Sequence, residues 1–467
     1  MFKSIFTNSF GILISRIFGF ARDLLTASVL GANIYSDMFF VAFKLPNLFR
    51  RIFAEGAFTQ SFLPAFTNSK HKLYFATSIF IRFFFIILIL SLFVTLFDTF
   101  FTKLIAYGFN QNMIKQAAPL VAINFYYLLL IFCVTFLSTL LQYKNHFATT
   151  AFSTALLNIS LIFALLYSRG LSAKIIVYYM SYAVVAGGIL QLFTHIVAIK
   201  KLGLMKIFVY GIEAIKKNRS DKKELDNFYK LFFHGILGNS TAQIAAFLDT
   251  FLATFLYSGA ISYLYYANRI FQLPLALFAI AVSVAIFPRV AKYIKNDDTK
   301  NAHRIIKKSF WFLVYLLGFS TIGGIILSKE IIWLLFQRGA FNTDDTAKSA
   351  IVLSMYMIGL LPYGLSKIFS LWLYSLHKQK TAAKIASMAL GTNIVFSLAL
   401  IIPFKAAGLA LAGSLAGFVL FFLTIKEFGL KNFLDIIRDK KLIYLVLSLI
   451  FEVIILIFFK DFIDVYI

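Results

Sequence analysis

Apolar runs of about 20 residues recur along this chain from one end to the other. Coiled as an α-helix, a run of that length matches the roughly 30 Å hydrocarbon thickness of a bilayer. No water reaches backbone groups there, so only helices and closed barrels cross it, and a barrel would show short alternating segments. The fold expected is an all-α polytopic membrane protein. Of 467 residues, 60% are hydrophobic and only 14% charged, against about 25% in soluble domains. Spans are expected near 5–30, 34–65, 75–101, 118–142, 150–168, 174–199, 230–257, 262–290, 309–328, 347–376, 381–402, 406–425 and 441–459, about thirteen in all. The first is interrupted by Arg16 and followed by no small-residue cleavage site, so no cleavable signal peptide is expected. A single cysteine, Cys133, excludes a disulfide framework and a thiolate metal cluster.

The formal net charge of +25 points away from nucleic acid once its distribution is considered, because most lysines sit between the spans. With the N-terminus inside, the cytoplasmic loops and their flanks hold roughly 28 Lys and Arg against about 9 on the other side, the bias that sets membrane orientation. An odd number of spans then puts the C-terminus outside. The stretches 200–230 and 289–308 are strongly basic, which reads first as anchoring to anionic headgroups.

Residues 31–46, GANIYSDMFFVAFKLP, slide by 228 positions onto 259–274, GAISYLYYANRIFQLP, with Gly31/Gly259, Ala32/Ala260, Tyr35/Tyr263, Phe43/Phe271, Leu45/Leu273 and Pro46/Pro274 coinciding. The offset covers six spans, an even number, so the copies share an orientation. Two six-helix lobes related by a parallel repeat around a central cavity are expected, with about one extra C-terminal helix. The organisation expected is an N-terminal lobe over 1–200, a basic linker over 201–229, a C-terminal lobe over 230–426, and an amphipathic linker with the final span over 427–467.

The charges inside the spans call for an explanation. Asp37, Lys44, Arg51 and Glu55 fall within roughly 40° of one another at about 100° per residue, a polar stripe on an apolar helix. Arg16, Arg22 and Asp23 lie in the first span, Asp249 in the seventh, Arg269 in the eighth and Lys367 in the tenth. Pairing explains Arg22 with Asp23 and Arg51 with Glu55. It does not explain the whole set, since positives outnumber negatives. An Arg or Lys at the bilayer centre costs about 2.5–3.5 kcal/mol on insertion scales, so these groups are expected to face protein or a hydrated cavity and to hold an anion. Of the 12 arginines among 45 basic residues, Arg16, Arg22, Arg50 and Arg51 fall in the first 51 positions. Their planar forks suit phosphate and carboxylate as lysine does not. No phosphate-binding GxxxxGK[ST] loop, HExxH or GxSxG occurs. Asp344 and Asp345 read as a helix start, and Glu452, mid-span, has no assigned role.

SRIFGFARD at 15–23, SDMFFVAFKLPNLFRRIFAEGAFTQSFLP at 36–64, YYANRIFQLPLALF at 265–278 and LFQRGAFNTDDT at 335–346 resemble the MurJ (MviN) family of lipid II flippases, part of the multidrug and oligosaccharidyl-lipid exporter superfamily. The resemblance covers spans one to twelve. It implies a transporter and not an enzyme, with no cofactor, in the bacterial inner membrane. The implied partner is lipid II, an undecaprenyl-pyrophosphate-linked disaccharide peptide, moved by alternating access, with membrane lipids and other cell-wall synthesis proteins as further partners. The same resemblance implies a substrate cluster of Arg16, Arg22, Arg50 and Arg269 with Asp37 beside it, joined by Glu55 and Ser262. Two departures are visible. Family members usually have fourteen spans, and here one clear span follows the twelfth. Some members bind sodium through carboxylates, to one of which Asp249 corresponds, but Lys378 stands where another is expected, so no metal is expected. The alternatives are a flippase for another undecaprenyl-linked glycan, a multidrug-type exporter, whose cavities are acidic, and a non-transporting membrane scaffold.

Overall fold

The computed structural model describes residues 2–50, 58–217 and 222–464. Every regular element among them is helical. In chain order they are α1 (Phe2–Leu30), α2 (Ile34–Phe49), α3 (Thr59–Asn68), α4 (Lys72–Leu96), α5 (Asp98–Ile105), α6 (Gln111–Tyr143), α7 (Ala148–Tyr167), α8 (Ala173–Lys201), α9 (Lys206–Lys216), α10 (Lys222–Ala253) and α11 (Ala260–Pro274). A π-helical segment (Leu275–Ile280) then leads into α12 (Ala281–Lys295), followed by α13 (Thr299–Ile326), α14 (Ser328–Phe336), α15 (Thr343–Ile358), α16 (Leu360–Ser375), α17 (Gln379–Phe428), α18 (Leu430–Ile437) and α19 (Lys441–Asp464). Each of the thirteen apolar stretches overlaps one or more of these helices. Nine helical segments among the described residues are long and apolar enough to cross a membrane.

The chain divides into two compact units, Met1–Phe247 and Leu248–Ile467. The division falls inside α10 and not in the basic loop before it, because the first half of α10 packs into the first unit. Phe228 and Phe232, both fully buried, join an aromatic core with Phe58, Phe62, Phe83 and Phe136, ring centroids 5.1–6.3 Å apart in edge-on pairs. Ser69 Oγ donates to Glu224 Oε2 at 2.5 Å, tying the start of α10 to the end of α3. Elsewhere in this unit α1 lies against α7 so closely that a methyl on Gly11 would come within 2.7 Å of the Ala151 Cβ. Small residues let helices approach in this way where lipid supplies no hydrophobic drive.

In the second unit Phe369, Phe428, Phe433 and Trp372 form a second aromatic core. The 50 residues of α17 would span about 75 Å as a straight helix, far more than a bilayer needs. The helix is broken at Lys405, with φ 51° and ψ −129°, two residues after Pro403, and Gly408 sits directly against the Leu400 carbonyl. α17 therefore turns back on itself, as the division of this stretch into two spans requires. The pairing of α13 with α19 agrees. Tyr315 Oη donates to the Lys441 carbonyl at 3.1 Å near one end and Lys460 Nζ to the Ile326 carbonyl at 3.5 Å near the other, so the two helices run parallel. Parallel helices need an odd number of crossings between them, which α15–α16 and a twice-crossing α17 supply.

The repeat seen in the sequence has local counterparts. Gly31 and Gly259 both take positive φ, 73° and 91°, a conformation that glycine adopts without steric cost, and each stands just before a helix. Phe43 packs on Tyr127 of α6 at 6.3 Å, and its counterpart Phe271 on Tyr356 of α15 at 5.6 Å. Past Pro46 the helix is π-wound at Arg50, and past Pro274 it is π-wound from Leu275 to Ile280. A proline inside a helix removes one i→i−4 bond and crowds the turn before it, and the wider π turn accommodates that loss.

Candidate functional site

The basic residues expected to act together fall in both units: Arg16, Arg22 and Arg50 before Phe247, and Arg269 after Leu248. In the first unit, Arg22 is buried at 9% exposure beside Asp23 at 3%. Its Nη2 and Nε donate to Asp23 Oδ1 at 2.6 and 3.1 Å, and its Nη1 donates to Asn158 Oδ1 of α7 at 3.0 Å. The amide of Asn158 in turn donates to the Ser15 carbonyl at 3.1 Å. The guanidinium is thus held in one orientation by a carboxylate on its own helix and an amide on the next. Thr26, also buried, returns its hydroxyl to the Arg22 carbonyl at 2.8 Å.

Arg16 differs from Arg22. It lies on the exposed side of α1 with Ile12, Leu13 and Ile17, and Asp23, seven residues on, is engaged with Arg22. Asp37 is buried at 2% in the first turns of α2. That turn is fixed by a capping box in which Asn33 Oδ1 accepts from Tyr35 N and Ser36 N, while Ser36 Oγ accepts from Asn33 N. Lys44 and Arg50 are half-buried further along, and Arg50 Nε and Nη2 both donate to Asn47 Oδ1, at 3.0 and 2.9 Å. Glu55 and Arg51 lie outside the described residues.

In the second unit Ser262, Tyr265 and Arg269 share one face of α11 at spacings of three and four. Ser262 is fully buried. Tyr265 holds the half-buried Arg269 in two ways, accepting from Nη2 at 2.7 Å and offering its ring face at 4.7 Å from the guanidinium carbon. The neighbouring Tyr263 donates to Asp345 Oδ1 at 2.8 Å. Asp345 belongs to the capping box of α15 with Asn342, so the helix start expected at Asp344 and Asp345 is present. Asp249 of α10 and Asn268 of α11 lie near Tyr356 of α15. Lys367 sits 4.8 Å over the Tyr363 ring.

Sequence reasoning missed Asn158, Asn47 and the part played by Tyr265. Each is a polar residue inside an apolar run, the signal that would have found it. Asn158, in ALLNISL, carries no charge and does not stand out, yet it ties the Arg22 guanidinium to a second helix.

A chain whose described elements are all helical, with many of them long and apolar enough to span a bilayer, is a multi-pass membrane protein. Its fold is that of the MATE exporters: an inward-facing multidrug resistance transporter of that family superposes at TM-score 0.69 over 93% of this chain and 98% of its own, at 10% identity. The chain belongs to the MurJ family, whose model, described as lipid II flippase MurJ, matches residues 26–466. A probable lipid II flippase MurJ of Helicobacter pylori is 49% identical over 93% of this chain and 97% of its own length. A relative of the same description from Buchnera aphidicola is 32% identical over 98% and 89%. A solved lipid II flippase MurJ in an inward closed conformation matches at TM-score 0.79 and 26% identity, covering 98% of this chain and 99% of its own.

Proposed function

We propose that this protein moves lipid II from the cytoplasmic to the periplasmic leaflet of the bacterial inner membrane by alternating access. Its arginines would hold the pyrophosphate and peptide carboxylates of the headgroup in a cationic cavity. Near-full-length similarity to curated lipid II flippases carries the reading. The chemistry of the spans supports it. Arg16 is an exposed guanidinium on an otherwise apolar helix face, which is sustained in a membrane only beside water, protein or an anion. Arg22 and Arg269 are each pre-oriented by a neighbour, which lowers the entropy lost on gripping an anion. Arg50, Asp37, Glu55 and Ser262 complete the proposed site. Asp23 neutralises and fixes Arg22, leaving the other arginines the larger share of the ligand's charge. Export of an anion from a negative-inside cell is helped by about 2.3 kcal/mol per charge per 100 mV, so no hydrolysis is required. In this reading the N-terminus is cytoplasmic and the C-terminus periplasmic, the substrate is delivered and removed by other cell-wall synthesis proteins, and no cofactor or metal takes part.

The test is complementation in a strain depleted of its own flippase. Arg16→Ala and Arg269→Ala should reach the membrane at wild-type levels and yet fail to support wall synthesis. Arg269→Lys should also be impaired, at least about tenfold in transport, because lysine cannot form the two-pronged contact. Full complementation by both alanine variants would overturn the proposal. Binding assays comparing lipid II with other undecaprenyl-linked sugars separate it from the glycan alternative, since every such carrier has a phosphate and only the sugar and peptide differ.

A further inference from the structure

The hairpin between α12 and α13 carries an arrangement that the proposed transport does not use. Arg289 and Lys292, three apart on α12, and Arg304 and Lys308, four apart on α13, line one concavity of about 530 Å³ together with Tyr293 and Asn296. All four cations are exposed, and none forms an ion pair with a described residue. The nearby carboxylates of Asp435, Asp439 and Asp298 are used elsewhere, and the exposed Asp297 of the turn forms no ion pair with any of the four. On the adjacent stripe of α13, His303 lies 3.4 Å from Asp435, and Lys307 lies 3.9 Å from Asp435 and 4.0 Å from Asp439. At the turn itself, Asp298 caps α13, accepting from Asn301 N at 3.1 Å and Asn301 Nδ2 at 2.7 Å. Those bonds, with Lys300 nearby, hold its carboxyl below the usual range.

Anchoring to a membrane surface needs only positive charge near the headgroups. It does not need two helices to gather four cations, an amide and a phenol around one hollow, where the cations repel one another. An anion seated among them removes that repulsion, and two guanidinium forks on facing helices match tetrahedral oxygens. We propose that this cleft binds a phosphate group, supplied either by the headgroup of an anionic phospholipid or by a soluble phosphate compound. The site lies wholly within the second unit and includes none of the residues proposed to hold lipid II. Its occupation would brace the α12–α13 hairpin.

The full-length protein in mild detergent is titrated with phosphatidylglycerol, with phosphatidylcholine and with inorganic pyrophosphate, and bound species are counted by native mass spectrometry. The wild type should retain phosphatidylglycerol or pyrophosphate in preference to phosphatidylcholine. Arg289→Gln/Arg304→Gln should lower that apparent affinity at least about tenfold. The charge-matched pair Lys216→Gln/Lys217→Gln, in the other basic loop, should change it less than about twofold. Lys292→Gln/Lys308→Gln repeats the test should the arginine pair fold poorly. Retention of the lipid alone assigns the headgroup as source, and retention of pyrophosphate assigns a soluble one. Equal losses in cleft and control variants, or no preference over phosphatidylcholine, would overturn the site. Neither outcome depends on lipid II transport.

Discussion

At the scale of single residues, burial decides what each charge can do. Arg22 and Asp23 are both nearly enclosed, and removing one member of such a pair leaves the other charged in a poor solvent, a loss of about 3–5 kcal/mol. Asp23→Ala should therefore destabilise the protein by that order in a detergent melt. Asp23→Ala/Arg22→Ala should be less destabilised than Asp23→Ala alone, because no buried guanidinium is left without its carboxylate. A double variant as unstable as the sum of the singles would show that the pair is not coupled. The adjacency of Arg22 and Asp23 made this pairing legible in the sequence. The contact to Asn158 was not, since 136 residues separate the partners and nothing in one sequence reports which of several polar residues in apolar runs lies opposite another.

Helices as elements were the most legible level, because a run of about 20 apolar residues permits little else in a bilayer. Their irregularities were less so. The π turn after Pro274 has no composition of its own, and the proline alone does not say whether a helix kinks, ends or widens there. The reversal within α17 was readable, because Pro403 and Lys405 interrupt an apolar run far too long for one crossing. It depends on Gly408, where an added Cβ would lie 2.2 Å from the Leu400 carbonyl oxygen. Gly408→Val should lower stability by about 1–3 kcal/mol, the usual range for overpacking. Gly391→Ala, in the same helix with nothing within 4 Å of the new methyl, should be neutral or slightly stabilising. Thermal melts of the two variants side by side check this, and equal effects would mean the reversal does not rest on that contact.

At the scale of the whole molecule, the sequence says which segments are apolar but not which are enclosed by protein. α4 buries 17% of its apolar stretch and α6 buries 72%, although α4 is the more apolar of the two. Lipid and protein interior select the same side chains, so periodicity carries little information in a membrane. Orientation, by contrast, is written in the loops. Cys133 is buried and is the only cysteine, so Cys133→Ala provides a background for single reporter thiols. In that background Lys216→Cys should react with a membrane-impermeant maleimide only after the cells are opened, and Ser172→Cys, in the next loop toward the N-terminus, should react in intact cells. The reverse pattern would invert the proposed topology.

The wide turn at Leu275–Ile280 has one more consequence. A helix that takes an extra residue into one turn has absorbed about 100° of rotation at that point. Passing the surplus residue along the rod turns the side chains in between by the same angle, at the expense of only a bond or two at each step. A one-residue shift of that turn would rotate the segment beyond Pro274 and present a different flank, with no need for the polypeptide to come undone.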